Sequence, residues 1–142
     1  MEIKIKEITK ELNGRKTVVG ETEIGGFLGI WMTRDMEPEL GKTYSCELLL
    51  PDLRTEDMTI LSNDKNTPVY TEIDLNRNVV FKGLIEASES GGIVVSFSPN
   101  WIECFEISGG GINVYDSVKF VLTKEQIEIY PYEVVREDDD PE

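Results

Sequence analysis

The chain contains no histidine, only two cysteines, and half as many basic side chains as acidic ones, 14 against 28 in 142 residues. Each shortage excludes something. Without imidazole there is no Ser-His-Asp or Cys-His constellation, and the commonest general base near neutral pH is missing. Two cysteines with no CxxC spacing do not make a four-ligand zinc site of nitrogen and sulfur. A formal charge of −14 repels a phosphate backbone, and the few lysines and arginines are spread out rather than gathered in a stripe, so nucleic-acid binding is disfavoured. Apolar runs such as Phe27 to Met32 and Leu48 to Leu50 are far too short to cross a bilayer. The first residues, Met1-Glu2-Ile3-Lys4-Ile5-Lys6-Glu7, lack the apolar core of a secretory signal. The expected setting is therefore a bacterial cytoplasm, with Cys46 and Cys104 reduced and buried in preference to forming a disulfide.

What the chain does have is alternation. Ile3 and Ile5 interleave with Lys4 and Lys6, the pattern of a half-buried strand. Asn13-Gly14 is a two-residue hairpin signal, followed by the β-branched run Thr17-Val18-Val19. Gly25 to Met32 is apolar on both faces, as in a strand covered on both sides. Tyr44, Cys46, Leu48 and Leu50 share one face of a strand over Thr43 to Leu50, which Pro51 ends. Residues 52–67 read as polar and irregular, with room for one short helical turn. Further strands are predicted over Val69 to Ile73, Val79 to Ala87, Ile93 to Phe97 and Trp101 to Ile107. Asp116-Ser117 then introduces Val118, Phe120 and Leu122 on one face, and in Gln126 to Val135 Ile127 and Ile129 point inward until Pro131 interrupts the pairing. No stretch of ten residues carries a helical apolar stripe. Many short strands with glycine-rich turns predict an all-β domain over residues 1–135, an antiparallel barrel or alternatively a β-sandwich. Residues 136–142 form an acidic tail expected to be disordered. Five acids lie in 137–142, so setting them aside takes the charge from −14 to −9. The body is acidic in its own right.

Few residues suggest chemistry. Glu103 and Glu106 sit on one predicted strand, where solvated outward carboxylates are far commoner than an acid–base pair. Asp138-Asp139-Asp140 lacks the spaced ligands and glycine turn of a calcium loop, and Ser108-Gly109-Gly110-Gly111 lacks the strand–loop–helix context and the lysine of a P-loop. Neither a metal nor an organic cofactor is expected. Aromatic rings offer more. Trp31 lies in an apolar run and belongs to the core. Trp101 follows Ser98-Pro99-Asn100 at a strand entrance, a position that allows part exposure, while Tyr130 and Tyr132 fall on the face opposite Ile127 and Ile129. Packing at core or rim is the usual fate of such rings; a surface patch that stacks on a ligand is the alternative.

The order of elements resembles an OB-fold barrel. The glycine-flanked strand Phe27 to Met32, the strand Thr43 to Leu50, the hairpin Val79 to Phe97 and the closing strand entered by Asp116-Ser117-Val118-Lys119-Phe120 carry the likeness. It would cover residues 25–135, with Glu2 to Val19 as an added N-terminal hairpin. In size, acidity, absent catalytic groups and acidic end the chain also resembles small bacterial immunity proteins to secreted toxins, a likeness that assigns no residue. Together these readings predict a non-enzymatic binding protein whose acidic surface engages a basic protein, an immunity protein or inhibitor being the concrete form. The candidate binding residues are Trp101, Glu103, Glu106, Tyr130 and Tyr132. The alternatives are a barrel binding a small ligand or oligosaccharide through Trp101, Tyr130 and Tyr132, and an assembly subunit that pairs through strand edges.

Overall fold

The computed structural model describes residues 1–136, and β-strands dominate it. In chain order they are β1 (Glu2–Lys10), β2 (Lys16–Thr22), β3 (Gly25–Trp31), β4 (Thr43–Leu49), β5 (Leu53–Arg54), β6 (Thr59–Asn63), β7 (Tyr70–Ile73), β8 (Val79–Glu89), β9 (Gly92–Ser98), β10 (Trp101–Ser108), β11 (Asp116–Leu122) and β12 (Glu128–Val134). Two 3-10 turns, Thr55–Asp57 and Lys124–Gln126, supply the helical content of the described residues. No helix among them is long and apolar enough to cross a membrane.

Five strands close a barrel. β1 pairs with β2, β2 with β3, β3 with β12, β12 with β4, and β4 with β1. Every pairing is antiparallel except β3 with β12, which is parallel. Because the last strand returns between β3 and β4, the ring is a Greek-key barrel of the OB-fold kind. The all-β barrel expected from the alternation is the architecture of the chain.

The strands that build the ring are not the set the pattern suggested. The N-terminal hairpin forms at Asn13-Gly14, with Gly14 at φ +84°, and it supplies two of the five ring strands instead of standing outside them. The Val79 to Phe97 hairpin and the strand after Asp116 lie outside the ring, in a segment inserted between β4 and β12. Alternation marks which residues of a strand face inward, but not which neighbour the strand chooses.

The inserted segment makes a second sheet in the order β6-β11-β8-β9-β10-β5. β7 joins it to the ring, lying antiparallel to β8 and touching β3 at Gly25–Thr71. Gly25 has φ +143°, and a side chain there would run into the Thr71 carbonyl. One hydrophobic cluster then passes through both layers. Ile3, Ile5, Val18, Cys46, Ile127 and Ile129 fill the ring, and Phe81, Phe97, Trp101, Phe105 and Phe120 fill the sheet. Phe27 bridges them, meeting Phe81 and Trp101 edge-on at 5.8 and 5.6 Å between ring centroids. Burying one such ring contributes about 1.5–3 kcal/mol, so the aromatic layer is a main source of cohesion for the insertion.

Two local expectations need correction. Residues 52–67 contain strands β5 and β6 as well as the helical turn at Thr55–Asp57. Every residue of β6 is exposed, so it shows no inward and outward alternation to read. Pro131 does not end the last strand. It sits opposite Cys46, the register shifts before Glu133, and pairing resumes to Val134 opposite Tyr44. A strand tolerates proline at such a bulge because no ladder N–H is required there.

Candidate functional site

The five sequence-derived candidates divide between two places. Trp101, Glu103 and Glu106 are on β10, and Tyr130 and Tyr132 are on β12.

Trp101 is a core residue, only 2% exposed, in line with core packing of the aromatics, and this corrects its place among the candidate binding residues. It contacts Phe27, Phe81 and Phe97, the last at 5.0 Å between centroids. It also lines the floor of a cleft of about 310 Å³ beside Glu2, Lys4, Glu21 and Asn100. The turn Pro99-Asn100 brings β10 back against β9, with Trp101 opposite Ser98 and on the same inward face as Glu103 and Phe105. Its Nε1 donates to Glu103 Oε2 at 2.8 Å, which satisfies the one polar atom of the ring.

Glu103 and Glu106 are not a pair. Three residues apart on a strand, they point to opposite faces. Glu103 stands opposite the fully buried Val95 and Glu106 opposite Gly92. Glu103 is thus half-buried on the inward side. Burial raises its pKa above the ordinary carboxylate value, and Glu47 nearby adds to the shift. The Trp101 hydrogen bond and the Met1 amino group oppose it. Glu106 is exposed and lines a shallow groove of about 340 Å³ with Ala87, Glu89, Val94 and Cys104. Cys104 is therefore a surface thiol, contrary to the expectation of two buried cysteines. Cys46 is buried as expected, and burial pushes its thiol up to about 12.

The β12 tyrosines are where the alternation placed them. Tyr130 is 38% and Tyr132 60% exposed, with Ile127 and Ile129 fully buried behind them. Register adds residues that the sequence reading missed. On the outward face of the β4–β12 pair, Glu128 lies opposite Leu49, and Tyr130 lies opposite Glu47. Leu49 is 57% exposed. Glu133 follows, exposed, across the bulge from Ser45. The Tyr130 hydroxyl donates to Glu128 Oε1 at 2.8 Å, and this carboxylate holds the phenol pKa above its ordinary range.

Charge on this face is one-sided. Glu47, Glu128 and Glu133 enter no ion pair among the described residues, whereas Lys6, Lys16, Lys42, Arg54, Arg77 and Lys124 are each paired with a carboxylate elsewhere. Glu47 acts on Glu103 less than the Met1 amino group does, and that amino group donates to the Cys46 carbonyl at 3.1 Å. The signal for Glu47 and Glu128 was present as outward positions of alternating strands, but only the pairing shows that they surround Tyr130. An acidic sheet face with two tyrosines and a leucine is suited to non-covalent contact with a cationic partner. Compared with family models, with curated proteins and with solved structures, the chain matches none.

Proposed function

We propose that this is a non-enzymatic binding protein of the bacterial cytoplasm that engages a basic protein through its acidic β4–β12 face, in the manner of an inhibitor or immunity protein. The observation that carries the reading is the juxtaposition of exposed Tyr130, Tyr132 and Leu49 with the carboxylates of Glu47, Glu128 and Glu133, which enter no ion pair among the described residues. Apolar and aromatic area gives the contact energy, and the carboxylates steer encounter and reject acidic competitors. The test is capture of partners at low salt by the native chain and by a Glu47→Lys/Glu128→Lys variant. A basic protein retained by the first, lost by the second and released as salt rises supports the reading. Equal retention by both sinks it.

The assembly reading is favoured by a separate observation. Among the described residues β6 pairs only with β11, carries no charged side chain and exposes Ile60 and Leu61 at 47% and 45%. Such an edge invites strand pairing. A light-scattering mass of one chain at high protein concentration would eliminate this reading. The ligand-binding alternative loses its tryptophan, since Trp101 is inside.

A further inference from the structure

Resting on the reading of β4–β12 as the binding face, we propose that this face recognises arginine side chains of the partner in preference to lysine. The argument comes from the four-residue tile at its centre. Glu128 faces Leu49 and Tyr130 faces Glu47, so the two carboxylates occupy one diagonal and the leucine and the tyrosine ring occupy the other. Diagonal positions on an antiparallel pair are about 7–8 Å apart, too far for one small cation to bridge both carboxylates tightly. A planar guanidinium on a long apolar stem fits this spacing better. Its stem lies along Leu49, its plane rests on the Tyr130 ring, and its fork reaches one carboxylate with two parallel N–H bonds. Glu47 is the receiving group. It is exposed and enters no ion pair among the described residues, whereas Glu128 already accepts the Tyr130 hydroxyl. That hydrogen bond also fixes the ring, so less side-chain freedom is lost when the guanidinium arrives. Tyr132 stands beside the tile at 60% exposure and offers a second ring to a neighbouring cation. Lysine gains less on such a tile. Its ammonium is strongly hydrated, has no flat face to stack and makes single rather than forked contacts.

The experiment is an NMR titration of the isotope-labelled full chain at low salt with two blocked peptides, acetyl-Gly-Arg-Gly-Arg-Gly-amide and its lysine counterpart. The expected result is a dissociation constant about threefold or more lower for the arginine peptide, with shifts centred on residues 45–49 and 128–132. Glu47→Gln and Tyr130→Leu, both at exposed positions, should bring that ratio to about one. If both peptides bind this face equally, the arginine preference is overturned while the acidic-face reading stands. If the preference survives in both variants, the assignment to this tile is overturned. If neither peptide shifts any resonance of this face, the proposal and the reading beneath it both fail.

Discussion

Trp101 and Glu103, two residues apart on β10, both face the interior of the second sheet, and the indole nitrogen donates to the carboxylate at 2.8 Å. This turns two apparent surface candidates into one structural unit. It places an acidic group where burial disfavours its charge and supplies the indole N–H as a donor that partly compensates.

The first prediction concerns pH. Burial raises the Glu103 pKa above its ordinary value of 4.5, so between the two values the folded chain holds a proton that the unfolded chain releases. Stability from this group is fully present below the unfolded value and is lost as pH rises through the folded one. Glu103→Gln, which keeps an acceptor for Trp101, should therefore unfold at higher denaturant than the native chain at pH 7. The gain should shrink toward zero as pH approaches 4.5. A gain that stays constant with pH would show that the carboxylate is not the cause.

Trp101 should behave as a packing residue. Trp101→Ala is expected to cost about 3–5 kcal/mol of stability, read from the urea midpoint. Native tryptophan emission should resist quenching by iodide, because both Trp31 and Trp101 are buried. Trp101→Phe should bind any partner of the β4–β12 face as the native chain does.

Ring closure depends on Gly29. A Cβ at that position would lie 2.8 Å from both Cγ2 and the carbonyl oxygen of Ile127, just where the Ile30 N–H bonds that carbonyl at 2.9 Å. Gly29→Ala should force β12 outward and destabilise by about 1–3 kcal/mol, the usual cost of overpacking. Gly41→Ala is not a suitable control, since Gly41 has φ +83°; Ala87→Gly on β8 leaves the ring intact. Intact-barrel stability in Gly29→Ala would refute the tight parallel contact.

The two thiols should separate cleanly in a labelling experiment. Cys104 is exposed, whereas Cys46 is buried with its pKa pushed up to about 12. Reactivity follows thiolate fraction and access. Iodoacetamide at pH 8 should modify Cys104 within minutes and Cys46 only in denaturant, as read by mass spectrometry. Equal rates in the native chain would contradict the placement of β4.

Much of the local structure was legible because strands announce their faces. Alternation turns Ile3, Ile5, Cys46, Ile127 and Ile129 inward, where they are buried, and Tyr130 and Tyr132 outward, where they are exposed. The reading failed where alternation carries no information. β6 is exposed throughout, and Pro131 is accommodated by a bulge. Glu103 departs from the pattern for a related reason. A charged residue at an inward position looks like a surface residue until its partner, in this case an indole N–H, is seen.

By itself the sequence determined the all-β class, the excess of negative charge, the absence of imidazole chemistry and the side of each regular strand that faces the core. These follow from composition and from the two-residue period of a strand, which are local properties. Only the tertiary structure decided that the N-terminal hairpin belongs to the ring, that the aromatic hairpin does not, and that Glu47 and Leu49 stand beside Tyr130 and Glu128. Those are matters of partner and register between strands far apart in the chain. They are settled by side-chain packing across both sheets together, which no single stretch of sequence encodes.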